Sequence, residues 1–120
     1  MNTPQQRLET IRRELRSEVQ ADVAVLARDL DDKGEDTTPS QHPADVASDL
    51  YAREELVVAE ATLRSELRDV EDALARIAHG TYGRCVDCGG SIVPERLEVL
   101  PAAARCITCQ RAADHYRPLR

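Results

Sequence analysis

The stretch Cys85-Val86-Asp87-Cys88-Gly89-Gly90, answered downstream by Cys106-Ile107-Thr108-Cys109, decides how the rest of the chain is read. These two C-x2-C pairs contain all four cysteines, and the seventeen residues from Gly89 to Arg105 separate them. Two matched pairs at this spacing are the pattern of a structural zinc site. Four thiolates at tetrahedral corners close the coordination shell and leave no position for a reactive water, so the ion holds a fold together. The expected ligands of one structural zinc are therefore Cys85, Cys88, Cys106 and Cys109. Gly89 and Gly90 agree with this reading, because a tight turn after a C-x2-C knuckle often needs positive φ, which glycine adopts without strain. Two disulfides or a redox C-x-x-C are the competing readings of the same residues. Two pairs at matched spacing favour the metal over either.

The chain around this motif has 120 residues, no Trp, no Phe and three Tyr, so its large apolar side chains are almost entirely Leu, Val and Ile. That length fits one domain, or one domain with an appendage. A core of this kind is modest, which makes a metal staple physically useful. Residues Met1 to Arg16 contain no apolar stretch like that of a signal peptide, and nothing approaches the length of a membrane span. A reducing cytosol is the expected compartment, where cysteines bind metal rather than one another.

The net charge of −6 is unevenly spread. Residues 1–79 carry ten Lys and Arg against eighteen Asp and Glu, a balance of −8, whereas residues 80–120 carry six against four, a balance of +2. A protein held to DNA through phosphates has a basic stripe and a high pI. Here the pI is near 5.0, and there are few aromatic rings on which bases could stack. These features argue against direct, strong nucleic-acid binding. No Ser-His-acid set, glycine-rich phosphate loop or spaced carboxylate pair stands out, and no enzyme is expected.

Upstream of the cysteines the sequence becomes periodic. Thr3-Pro4-Gln5-Gln6 reads as a helix start, with Thr as N-cap, Pro at the first position and Gln completing a capping box. Leu8, Ile11, Leu15, Val19, Val23, Leu26 and Leu30 then recur at steps of three and four, and Lys33-Gly34 ends the pattern, so the first helix is expected from about residue 4 to about 32. The consecutive steps of four from Ile11 to Val23 depart from a strict heptad and predict local unwinding. A second helix is expected from near Pro43 to His79, with Gly80 as its stop. Within it, Leu63, Leu67, Val70, Leu74 and Ile77 form a heptad seam. Neither helix is apolar enough to stand alone, and an antiparallel pairing covers both.

The expected fold is mostly α: a long antiparallel helical hairpin (coiled coil) over residues 1–79, then a small four-cysteine zinc finger with a short C-terminal helix over residues 80–120. The hairpin's acidic tip falls at about residues 33–47, and the architecture reads as a rod with a zinc knob at its base. Ile92, Val93, Leu97, Val99 and Leu100 are expected to fill the finger's apolar centre. The closing helix is placed within Cys106 to Tyr116, with Pro118 past its end. Arg84, Arg105 and Arg111 are placed to offset the charge of a tetrathiolate zinc, and Arg96 to brace the finger against the coil. His79, at a helix C-terminus, complements the dipole.

The pattern Tyr82-Gly83-x-Cys85-x-x-Cys88-Gly89-x-x-Ile92-x-x-x-Arg96-Leu97-x-x-x-Pro101-x-Ala103-x-x-Cys106-x-x-Cys109 resembles the finger of the DksA/TraR family of bacterial transcription regulators. The resemblance covers roughly residues 39–113 and includes the order of parts, with hairpin first, finger next and short helix last. No counterpart is expected here to the longer N-terminal extension of some members. The resemblance implies a cytoplasmic regulator that binds RNA polymerase directly, without a DNA site of its own. Its hairpin would enter the secondary channel, and acidic tip residues would act near the catalytic region. Asp29, Asp31, Asp32, Glu35, Asp36, Asp45 and Asp49 crowd that tip. Acids near the start of the second helix also favour its dipole, a reading in which the tip is only a solvated loop.

Two departures from the family stand out. Its tips resemble Asp-x-x-Asp-x-Ala, and the matching stretch here is His42-Pro43-Ala44-Asp45-Val46-Ala47. Asp45 and Ala47 are kept, while His42 replaces the first acid. An unperturbed His, with a pKa of about 6.5, is mostly uncharged near neutral pH and lacks a carboxylate's acceptors. Members that respond to ppGpp use basic positions, and the matching residues here are Asp69, Leu100 and Gln110. None offers a positive charge to a pyrophosphate, so no ppGpp site of that type is expected. Two other readings of the chain are a zinc-stapled adaptor or nucleic-acid-binding ribbon, and a redox sensor whose thiolates expel zinc on oxidation.

Overall fold

The computed structural model describes residues 2–35 and 43–116, with side chains described for 2–28 and 47–116. Four helices follow in order: α1 (Pro4–Glu35), α2 (Pro43–His79), α3 (Pro94–Val99) and α4 (Ile107–His115). The fold is mostly α. Among the described residues the only extended pairing is an isolated antiparallel bridge between Arg84 and Ser91.

Helix α1 begins as the capping box requires. The Gln6 N–H donates to Thr3 Oγ1 at 3.2 Å, and the Thr3 N–H donates back to Gln6 Oε1 at 3.0 Å. Two donors that the helix start leaves orphaned are thus satisfied reciprocally. The helix continues past Lys33-Gly34 to Glu35, somewhat beyond the expected stop, because glycine near a helix end costs about 1 kcal/mol at most. Helix α2 ends at His79. Gly80 there adopts φ +76°, the Thr81 N–H reaches Arg76 O at 2.9 Å, and the Gly80 N–H reaches Ile77 O at 3.2 Å. This is a Schellman stop, which only a residue comfortable at positive φ supports.

The chain forms two compact units, one of residues 1–12 with 68–120, the other of residues 13–67. In the first, Leu8 (fully buried), Val70 and Ala73 are the buried helical side chains, with Cys85 and Ile92 from the finger. Burying a Leu completely is worth about 2 kcal/mol. In the second, Leu15 and Val19 are buried. Shallow clefts there are lined by Glu18, Ala21 and Asp22 with Ala59, Thr62 and Leu63, and by Val19 and Val23 with Arg64 and Leu67. The antiparallel direction of the pair shows in the grouping itself, since the start of α1 belongs with the end of α2 and the rest of α1 with the start of α2. Val23 departs from the expected seam, being 40% exposed. At 3.6 residues per turn each step of four overshoots by about 40°, so three steps from Ile11 carry Val23 about 120° round the helix.

The finger's apolar centre is smaller than expected. Ile92 is buried and Leu97 half-buried, but Val93, Val99 and Leu100 are 56%, 78% and 49% exposed. The cause is α3: Val93 is its N-cap, Val99 its last residue and Leu100 its C-cap. So short a helix cannot turn all of them inward. Tyr82 helps fill the space instead, half-buried and donating from its hydroxyl to Pro101 O at 2.7 Å.

Candidate metal centre

The first cysteine pair sits on a tight hairpin. The Ile92 N–H donates to Gly83 O at 2.8 Å, the Cys85 N–H to Gly90 O at 2.7 Å, and the Gly89 N–H back to Cys85 O at 3.0 Å. Gly89 takes φ +74° with open space where a Cβ would be, so backbone conformation alone requires it. Gly90 is not required in this way: its φ is ordinary and a Cβ there would meet Cys88 Sγ at 3.4 Å, an ordinary contact, while its N–H approaches that sulfur at 3.4 Å. The second pair opens α4, with Cys106 as N-cap and Cys109 in the first turn. The Val86 N–H donates to Ala104 O at 2.9 Å, joining the knuckle to the segment before α4.

These elements bring all four sulfurs within 4.8 Å of one another, with Cys88 Sγ and Cys106 Sγ 3.9 Å apart. A disulfide needs about 2.05 Å, so these cysteines are not bridged. A tetrahedral zinc with Zn–S of about 2.3 Å sets sulfurs about 3.8 Å apart, close to the 3.9 Å between Cys88 and Cys106, and the remaining sulfurs stand within 4.8 Å. Cys85 is buried, Cys106 and Cys109 half-buried, and Cys88 exposed. The electrostatics agree with the geometry. Backbone N–H groups of Cys88 and Cys106 draw the Cys85 pKa down to about 6, while hydrogen bonding to the Cys106 and Cys85 sulfurs pushes Cys109 up to about 12. The two shifts are opposed because the sulfurs share protons at close range; a divalent ion bound by the thiolates replaces those protons. The cluster is a structural site for one zinc, closed by four protein ligands.

Arginines brace the centre. Arg105 Nε meets Asp87 Oδ2 at 2.6 Å, tying the segment before the second pair to the first knuckle, and this carboxylate raises the Arg105 pKa. Arg96, expected to brace finger against coil, instead donates from Nε to Arg105 O at 3.0 Å, entirely within the finger. The braces from the helices are Arg7, whose guanidinium donates to Glu98 O, and Arg76, which donates to Ala103 O at 3.4 Å. Neither is legible in sequence, since Arg7 lies 91 residues from its acceptor. Arg84 and Arg111 are exposed. His79 Nδ1 donates to Ala75 O at 2.7 Å, the helix-end role expected of it.

Of the tip residues, His42 lies outside the described residues, as does Asp36. Asp45 falls in the first turn of α2 with its side chain outside the description, and Ala47 is exposed on the same helix. Asp69, Leu100 and Gln110 all belong to the first compact unit. Asp69 is exposed, and Gln110 Nε2 donates to Asp114 Oδ1 at 2.9 Å.

Comparison with known proteins places residues 80–115 on the model of the prokaryotic dksA/traR C4-type zinc finger. The uncharacterized protein YteA of Bacillus subtilis is 44% identical over 73 residues, which is 61% of this chain and 30% of that protein. An uncharacterized protein of Aquifex aeolicus is 30% identical over 89 residues, 71% of this chain and 61% of that one. The chain thus spans less than two thirds of the length of either relative. The structure of the transcription factor DksA2 from Pseudomonas aeruginosa superposes with a TM-score of 0.73 at 28% identity, covering 92% of this chain and 80% of that one.

Proposed function

We propose that the chain, whose residues 80–115 match the dksA/traR C4-type zinc finger, is a non-enzymatic transcription regulator of the DksA/TraR type acting directly on RNA polymerase. Its helical arm, residues 1–79, enters the polymerase's secondary channel, while the finger, residues 80–120, anchors the arm's base. The observation that carries the reading is the likeness to a DksA2 transcription factor over most of the chain, joined to the four-sulfur centre. In this reading Asp45 is the tip carboxylate that acts near the catalytic region, and Ala47 makes the neighbouring contact. Carboxylates carried on the arm meet basic side chains or approach a bound magnesium. His42, in place of the first tip acid, alters the size or sign of the effect on initiation while docking persists.

No basic side chain stands at Asp69, Leu100 or Gln110 to hold a pyrophosphate, and the Asp69 carboxylate repels one. Binding is therefore independent of ppGpp at that position. A pull-down against purified RNA polymerase, with and without a small molecule occluding the secondary channel, tests the proposal. Co-elution that the occluding molecule abolishes and that Asp45→Asn weakens is the expected result. Retention with the channel blocked, or salt-sensitive DNA binding without polymerase, contradicts it.

A further inference from the structure

Helix α2 carries two apolar faces between residues 47 and 67. The inner face includes Leu56, Leu63 and Leu67, half-buried in the second compact unit. The outer face holds Ala47, Leu50, Tyr51, Val57, Val58 and Ala61, all exposed, with Tyr51 and Val58 each 65% exposed. These positions advance in steps of one, three and six that keep them on one side of the helix. At about 3.6 residues per turn that side lies nearly opposite the inner face. A face meant only for water would carry charged side chains at these positions. The apolar surface offered is on the order of several hundred Å², the scale at which patches mark interaction sites.

We propose that this face pairs two copies of the chain, α2 against α2 in antiparallel sense, about a twofold axis near Val57 and Val58. Charge selects both the occupant and the direction. Glu54 is the acid within the stripe, and Arg64 lies toward its C-terminal end with its side chain 53% exposed. The twofold axis sets Glu54 of each copy opposite position 61 of the other, within one helical turn of Arg64, and does so twice by symmetry. A parallel pairing would set Glu54 against Glu54, like charges at close range. Arg64 already meets Glu60 through Nε, but a guanidinium has five N–H donors and serves a second carboxylate readily. Doubled by the twofold, the buried surface approaches the low end of specific interfaces, about 1,200 Å², so the dimer is weak and concentration-dependent. Pairing itself does not depend on the polymerase reading. On that reading, however, a paired copy hides Ala47, so pairing and channel entry exclude each other.

Sedimentation velocity of the zinc-loaded chain over a wide concentration range tests the pairing, with circular dichroism and zinc content as controls for folding. The expected result is a reversible dimer whose dissociation constant rises about tenfold or more in Val58→Glu, because the interface then buries an unpaired charge. Glu54→Arg weakens it as well, and Glu54→Arg combined with Arg64→Glu restores it. A monomer at every concentration, or a dimer indifferent to Val58→Glu, overturns the proposal. A dimer that the double reversal fails to restore overturns the antiparallel arrangement.

Discussion

Gly89 and Gly90 stand side by side, but only Gly89 takes the positive φ that favours glycine. At Gly89 the φ of +74° meets open space, so any penalty for a side chain is one of backbone conformation, about 1 kcal/mol. Gly89→Ala is expected to weaken zinc retention correspondingly in a chelator competition, and by more than Gly90→Ala, which carries no such backbone penalty. The need for positive φ is legible from the knuckle pattern; Gly90's approach to Cys88 Sγ is not, because it depends on where the sulfur comes to rest. Tyr82 supplies a second prediction. Burial raises its pKa from the ordinary 10.0, against lowering by Arg7 and Arg76. The folded state therefore favours the protonated hydroxyl that donates to Pro101 O. Its contribution is fully present below pH 10 and is lost as pH climbs through the higher folded value. Stability should fall across that alkaline window in the parent, and fall less in Tyr82→Phe, as followed by denaturant midpoints at successive pH values.

Local signals set the ends of the long helices, and tertiary geometry decides what they bury. Thr3→Ala removes one arm of the capping box and is expected to cost about 1 kcal/mol. Leu8→Ala empties a fully buried site and is expected to cost about 2–5 kcal/mol, whereas Val23→Ala, at a position 40% exposed on a cleft beside Leu67, costs about 1 kcal/mol or less. Urea unfolding of the three variants checks the ranking. In sequence Leu8 and Val23 look equivalent, two apolar residues in one periodic series. They separate because steps of four drift around a helix of about 3.6 residues per turn. The same holds in the finger, where Val93, Val99 and Leu100 read as core until the placement of α3 turns them outward. Short elements give little periodicity to read, so their inward face is set by what packs against them.

At the scale of the whole molecule, ligand spacing reveals the metal centre, while the braces that hold it to the helices stay hidden. C-x2-C pairs are local in sequence, but Arg7 reaches Glu98 O and Arg76 reaches Ala103 O across long separations that leave no pattern. Removing zinc with a chelator, or replacing Cys85 by Ser, is expected to abolish ordered structure across residues 81–116 while most of the α1 and α2 helicity survives. Amide-resolved NMR alongside circular dichroism reads both. Acidification should act in the same direction, because protons compete with the ion for the four thiolates. In the proposed function, the helical arm carrying Asp45 and Ala47 enters the polymerase. A photo-crosslinking residue at position 47, activated in the complex with RNA polymerase, tests that claim most directly. Crosslinks confined to the walls of the secondary channel are the predicted result; crosslinks to the polymerase's outer surface, or none to polymerase at all, would contradict it.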